Sequence, residues 1–319
     1  MPMTLSSPVR VALVGYGEVG RILAEDLREA GHVVGAFDVK LASAAGDAMR
    51  AHAAGAGVHL AASAAEVVTD AALVISAVTA SQAVAVAQAC APALVDGCFF
   101  LDLNSASPGA KAEAAQCVDA AGGRYVEGAV MTSLPPYRIQ VPLLLGGPHA
   151  QALKPMLDAL GFAARVHSDR LGVASATKMC RSVMIKGLEA MVIESFTTAR
   201  HYGVEDAVIA SLHETFPGID WERQAAYFFQ RVIEHGRRRS EEVREVAVTV
   251  REAGLLPHSA AGTAERQAWM ADMSDAGLFG SRGEAAFARS ADWRMEADRI
   301  LRAVHQPAAN HERPAPMPT

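Results

Sequence analysis

The sequence predicts an α/β fold, a doubly wound parallel sheet, followed by an all-helical region. Three observations carry this. Short apolar runs alternate with helix-period segments as far as His167, which is the pattern of successive βαβ units. A glycine-rich turn joins the first such run to its helix. Beyond His167 no further strand pattern appears, and long helical segments follow. The expected organisation is an α/β domain over 1–168, a helical domain over 169–305 and a disordered tail over 306–319. The tail (QPAANHERPAPMPT) is proline-rich and poor in apolar residues.

The elements follow in order. Val9 and Val11–Val14 form a nearly continuous apolar run, as in a strand buried on both faces. Gly15, Gly17 and Gly20 follow as G-x-G-x-x-G. Residues 21–30 then read as a helix with Ile22, Leu23 and Leu27 on one face and Gly31 as its stop. A second apolar run, 33–37, ends at Asp38. Each glycine has a distinct duty: Gly15 for the tight turn, Gly17 for close approach of a pyrophosphate, Gly20 for helix–sheet packing. The helix N-terminus presents unpaired N–H groups and a positive dipole end to phosphate. Asp38 stands where an acidic residue accepts from ribose hydroxyls. Strand, loop, helix, strand and terminal acid in register predict a Rossmann-type dinucleotide site built from Gly15, Tyr16, Gly17, Glu18, Val19, Gly20 and Asp38. Asp38 favours NAD, because a 2′-phosphate would meet a carboxylate; nearby Lys40 leaves NADP open.

After Asp38 comes an Ala-rich helical segment to about residue 54. Ser63 and Glu66 have capping-box spacing and open a short helix. The next buried strand is 72–78. Its carboxyl end, Ala77, Val78 and Thr79, is expected beside the cofactor, because ligands bind at the carboxyl ends of strands in such sheets. A helix over 81–91 follows. The strand at 98–103 runs into Asn104 and Ser105, which are expected to face the nicotinamide half. Ser107 is a helix cap with Pro108 at the first helical position. Strands at 124–130, 141–145 and 162–167, with a helix over 151–160, complete the alternation.

The helical region begins with a long helix over 172–200. At ~100° per residue, Lys178, Arg181, Ser182, Lys186 and Glu189 share an arc of roughly 140°, with Val173, Ala176, Cys180, Val183, Met184, Gly187 and Met191 on the other side. The simplest reading is an amphipathic helix with a wet polar face. This helix follows the dinucleotide domain directly, and Lys178 is flanked by small residues. A lysine near a second cation has its pKa lowered and exchanges protons near neutrality. Pro217-Gly218 breaks the chain. Asp220 caps a helix over 221–235, a second runs over 237–253, and Gly254 and Pro257 stop it. Trp269, Phe279, Phe287 and Trp293 are expected to anchor the remaining helices.

The chain has 319 residues, enough for two domains. Its formal net charge of −6 argues against a nucleic-acid partner. Cys90, Cys98, Cys117 and Cys180 show no metal spacing, so no metal is expected, and buried thiols fit a reducing compartment. No apolar leader or membrane-spanning segment is visible, so the expectation is a cytoplasmic protein with no membrane partner.

At these residues the chain resembles the 3-hydroxyacid dehydrogenase family, which includes 3-hydroxyisobutyrate and 6-phosphogluconate dehydrogenases. The likeness is good over residues 9 to about 200 and looser beyond. GYGEVG is similar to the family's cofactor loop, with Val19 where Met is common. Asn104–Pro108 is similar to its strand-end Ser/Thr–Pro segment. Glu127-Gly-Ala-Val-Met-Thr-Ser133 resembles its substrate segment D-A-P-V-S-G-G, without the glycines. Gly172-Val-Ala-Ser-Ala-Thr-Lys178-Met resembles the segment that carries the catalytic lysine. Ser182 replaces the usual Asn. Ile185 replaces the Glu of decarboxylating members, which argues against that chemistry. Retention of Lys178 argues against the imine-reducing branch. The segments 178–190 and 235–242 resemble a less-characterised branch with its own C-terminal domain; in better-known members a Lys-Asp pair on the corresponding helix approaches the active site, often of the partner subunit, and Glu241 and Glu242 fall in the matching register.

The resemblance implies an NAD(P)-dependent dehydrogenase of a small hydroxy acid, with Lys178 as general acid–base. Met131, Thr132, Ser133, Arg181, Ser182, Lys186, His235, Arg238 and Glu242 are the candidate substrate residues. Backbone N–H groups at 131–133 and a cation such as Arg238 would hold a carboxylate. The alternative is a non-catalytic dinucleotide sensor on the same scaffold. A homodimer is expected by analogy.

Overall fold

A run of apolar residues without alternation can only be buried on both faces, and the first strand shows this: every residue of β1 (Arg10–Val14) after Arg10 is buried. The computed structural model describes residues 7–284, 287 and 292–305. The expected tail at 306–319 lies outside the described residues. The helix α1 (Glu18–Glu29) leads to β2 (Val33–Phe37), and α2 (Gly46–Ala56) to the short β3 (His59–Leu60). Then come α3 (Ala64–Val68), β4 (Leu73–Ser76), α4 (Ala83–Cys90), β5 (Phe99–Asp102) and α5 (Pro108–Ala120). The sheet continues through β6 (Arg124–Val130), β7 (Leu143–Gly146), α6 (Ala150–Ala159) and β8 (Ala164–Ser168).

The eight strands lie in the order β3-β2-β1-β4-β5-β6-β7-β8. This is the doubly wound sheet expected, with one departure: β6 and β7 are antiparallel. The segment between them, 131–142, contains no helix longer than a single turn at Arg138–Gln140, and a short connection joins antiparallel neighbours where a parallel crossover needs a helix. The two-residue β3 carries too little apolar signal to be read from sequence. The capping readings hold: Ser63 accepts from Glu66 N–H at 3.0 Å and Ser107 from Ala110 N–H at 3.3 Å.

The helical part comprises α7 (Val173–Tyr202), α8 (Glu205–Thr215), α9 (Trp221–Glu252), α10 (His258–Asp275) and α11 (Trp293–His305). The two helices expected over 221–235 and 237–253 are one continuous helix, α9. Gly236 stays helical because it packs where a side chain would not fit: a Cβ there would stand 2.8 Å from the Gln267 carbonyl oxygen of α10. Asp220 caps α9 as expected, accepting from Arg223 N–H at 3.1 Å. Buried Phe279 and Trp293, with partly buried Trp269 and Phe287, surround a core of Phe196, Phe229 and Ile300.

The described residues divide into two compact units, one within 7–183 with 244–257 and the other within 184–243 with 258–305. The division falls inside α7 and α9, so each helix contributes turns to both units. Among the described residues no helix is long and apolar enough to cross a membrane.

Candidate functional site

The glycine loop is shaped by steric necessity. Gly15 has φ +101°, which a side chain disfavours, and a Cβ there would fall 2.3 Å from the Ala77 carbonyl oxygen at the end of β4. Gly20 is closed in the same way by the Gly15 carbonyl oxygen at 2.1 Å. Gly17 differs: it is exposed, with open space where a Cβ would be, and caps α1 without any side-chain hydrogen bond. That combination leaves the first N–H groups of α1 facing an open cradle, which suits a pyrophosphate. Glu18 is exposed and Val19 half-buried in the first turn of the helix.

Asp38, at the end of β2, accepts from Tyr16 N–H and Lys40 N–H, both at 2.8 Å. One oxygen therefore holds the glycine loop and the other caps the turn Val39–Ala42. Each oxygen keeps a second lone pair for a ribose hydroxyl. Tyr16 is fully buried, and its hydroxyl meets His52 Nδ1 at 2.9 Å. His52 Nε2 in turn meets Glu25 Oε1 at 2.9 Å. Burial pushes the Tyr16 phenol up to about 12, partly offset by Arg21. The Arg138 and His52 side chains hydrogen-bonded to Glu25 hold its carboxyl below the usual range. Neither His52 nor Arg138 belongs to the glycine motif, so the sequence did not reveal this support.

The carboxyl ends of β4 and β5 are tied together. Asn104 is buried; its Oδ1 accepts from Val78 N–H at 2.6 Å and its Nδ2 donates to Ser76 Oγ at 2.9 Å. The Asn104 side chain thus sets the position of 77–79, whose Ala77 and Val78 are half-buried and Thr79 exposed. Behind it, buried Asp102 accepts from Asn104 N–H at 2.8 Å and from the Tyr125 hydroxyl at 2.7 Å, with Lys111 Nζ at 2.9 Å.

Ser105, next along the chain, is half-buried and meets α7: Lys178 Nζ donates to Ser105 Oγ at 2.6 Å. An amine and a hydroxyl therefore stand together at the carboxyl edge of the sheet, where ligands of such folds bind. Carboxylates from α9 secure the same loop. Glu245 accepts from Ser107 N–H at 3.2 Å, and Glu252 from Ser107 Oγ at 2.7 Å and Gly109 N–H at 3.0 Å.

The wet polar face expected on α7 is not what forms. Ser182, Lys186 and Glu189 are buried, while Met184 and Met191 are 71% and 61% exposed; of the polar arc only Arg181 is fully exposed and Lys178 half-buried. The polar side chains turn inward because partners await them. In the second unit Lys186 Nζ meets Glu242 Oε2 at 2.5 Å, and Arg239 and Gln267 both donate to Glu189. Burial lowers the Lys186 pKa against the pull of Glu242. Arg238 is exposed, 3.8 Å from Glu242 Oε1, and half-buried His235 has its pKa lowered by burial. Lys186, Arg238 and Glu242 are thus brought together, whereas Lys178, Arg181 and Ser182 belong to the first unit.

In the 131–133 segment Met131 and Ser133 are half-buried and Thr132 is exposed. The Met131 N–H donates to the Pro142 carbonyl at 3.1 Å, so it does not serve as a carboxylate donor as expected. Its side chain packs on Ala129, Leu144 and Ala174. Among the described residues no cluster of His, Cys, Asp and Glu is placed to hold a metal.

This sheet, cradle and strand-end site define a nicotinamide-dinucleotide-binding protein of the dehydrogenase type. Comparison with known proteins agrees. Residues 10–167 match the model of the NAD binding domain of 6-phosphogluconate dehydrogenase, and 199–270 match a domain of unknown function. The chain is similar to a conserved hypothetical protein of Sinorhizobium meliloti 1021, 35% identical over 93% of this chain and 97% of that one, with TM-score 0.73. A conserved protein of unknown function, described as structurally similar to 3-hydroxyacid dehydrogenases, is 27% identical over 83% and 99%, TM-score 0.65. Mycobacterium tuberculosis 3-hydroxyisobutyrate dehydrogenase shares the fold, at 17% identity over 92% and 99% and TM-score 0.69. The chain belongs to the 3-hydroxyacid dehydrogenase-like family.

Proposed function

We propose that this protein interconverts a small hydroxy acid and its carbonyl counterpart, with Lys178 as general acid–base. The observation that supports this most is the 2.6 Å contact of Lys178 Nζ with Ser105 Oγ at the carboxyl edge of the sheet. A bound nicotinamide supplies the hydride acceptor or donor. Lys178 takes the proton of the substrate hydroxyl in oxidation and returns it to the carbonyl oxygen in reduction. Ser105 aims the amine through its hydrogen bond. Thr132 and Ser133 are the candidates for holding the substrate carboxylate, since Met131 N–H is engaged elsewhere.

Asp38 supports NAD over NADP, because its carboxylate would repel a 2′-phosphate. We further read the protein as a homodimer. Met184, Met191 and Tyr202 form one exposed apolar stripe on α7, the kind of face that a second copy covers. Sedimentation at micromolar concentration tests that reading, and a monomer throughout would refute it.

The test of function is a screen of hydroxy acids, beginning with 3-hydroxyisobutyrate and L-serine, with NAD or NADP and read by nicotinamide absorbance. Turnover in the wild type that is lost in Lys178→Ala, with cofactor binding retained, is the expected result. Cofactor binding with no turnover of any substrate would favour the sensor reading; equal turnover in Lys178→Ala would remove the lysine from the chemistry.

A further inference from the structure

Glu127 is a carboxylate with no exposure at all, in the middle of β6. Among the described residues no cation stands among its hydrogen-bond partners. Instead Oε1 accepts from Ala174 N–H at 3.0 Å and Oε2 from Ser175 N–H at 3.2 Å. These are first-turn amides of α7, so one carboxylate serves two of the helix's unpaired donors and lies at the positive end of its dipole. The room for it is made on β7, where Gly146 is its antiparallel partner. A Cβ at Gly146 would fall 2.2 Å from Glu127 Oε1. On the other side Glu127 is in register with Asp102 of β5, three residues before Ser105. Both partners of the Lys178–Ser105 contact are therefore referred to adjacent strands, Ser105 through the chain of β5 and Lys178 through Glu127.

We propose that Glu127 is a positioning residue, which fixes the first turn of α7 against β6 and so sets where the Lys178 amine stands. A carboxylate with both oxygens engaged restrains the rotation and the advance of the helix together, which a single hydrogen bond would not. The inference concerns the placement of Lys178, and its catalytic consequence rests on the function proposed above.

The test uses the full chain carrying Glu127→Gln or Glu127→Asp. In Glu127→Gln one helix amide faces an NH2 group in place of an oxygen. The amides of residues 174–178 are expected to exchange with deuterium about tenfold faster. After reductive [13C]methylation, the Lys178 resonance, assigned through Lys178→Arg, is expected to shift. Cofactor affinity should stay within about twofold, because the glycine loop is a separate structure. With a substrate from the screen, kcat should fall by about 10²-fold with KM little changed, the penalty of a misplaced catalytic group. Glu127→Asp keeps the charge and should recover part of each effect. Wild-type exchange and an unmoved Lys178 resonance in Glu127→Gln would overturn the proposal. If Glu127→Gln does not fold, the same resonance in Glu127→Asp decides it: a shift supports the proposal and no shift overturns it. If the wild type turns over no substrate, the proposed function fails, while exchange and the Lys178 resonance still decide the role of Glu127.

Discussion

Lys178 and Lys186 lie on the same helix and on the same expected arc, yet their surroundings differ. Lys178 is half-buried and donates to a neutral hydroxyl. Lys186 is buried and donates to a carboxylate at 2.5 Å. A buried ammonium closely matched by a half-buried carboxylate is held as a structural element, because separating the pair strands the buried charge in a medium that solvates it poorly. Lys178, beside the Ser105 hydroxyl at a strand end, is the lysine for which we propose the acid–base role. Residue type and helical phase select candidates, and only the fold shows how differently two candidates on one arc are surrounded.

Five changes would break or sharpen this contrast. The largest effect is expected from Lys178→Ala, with turnover down about 10²–10⁴-fold and cofactor affinity retained, measured by steady-state kinetics and cofactor titration. Next comes Glu242→Ala, which leaves Lys186 buried without its carboxylate and should destabilise the fold by about 3–5 kcal/mol in denaturant titration. The lysine itself can be tested by pH. Its folded pKa is lowered, so as pH rises the folded state releases the proton before the unfolded state does, at about 10.4. The unfolded chain then binds more protons, and stability rises with pH up to that value. The stability of the wild type relative to Lys186→Met should therefore improve on raising the pH toward 10.4; a flat difference would contradict the lowered pKa.

Asp38→Ala should have a smaller effect. It strands the Tyr16 and Lys40 amides and removes the proposed ribose acceptor, weakening NAD binding about tenfold, which is about 1.4 kcal/mol. Isothermal titration calorimetry with NAD and NADP checks this, and unchanged NAD affinity would show that Asp38 serves the loop alone. The smallest is Tyr16→Phe, which removes one hydrogen bond to His52 and should cost about 0.5–1.5 kcal/mol of stability. The buried phenol, pushed up to about 12, should remain protonated across the range of the assay.

Much of the fold was legible because it is written in local signals. Buried strands read as unbroken apolar runs, Ser63, Ser107 and Asp220 marked helix starts, and Gly15 and Gly20 announced a tight turn and helix–sheet packing. The antiparallel β6–β7 pair was missed because pairing direction depends on what the connection packs against. The continuity of α9 was missed because Gly236 reads locally as a weak point, whereas contact with α10 makes it necessary. Of the site, Lys178 and the glycine loop were visible as motifs. His52, Glu245 and Glu252 carried no motif of their own, and Glu127 stood in a segment read for substrate and not for its hold on α7; they matter through partners distant in the chain.

By itself, then, the sequence determined the α/β-to-helical order, the dinucleotide cradle and the candidate lysine, since periodicity, glycine sterics and capping act over a few neighbouring residues. The tertiary structure alone decided which face of α7 turns inward and that Lys186 is locked in an ion pair. It also decided which carboxylate holds the start of that helix. Burial and pairing energies belong to contacts made across the fold, and helical phase is silent about what waits on the other side.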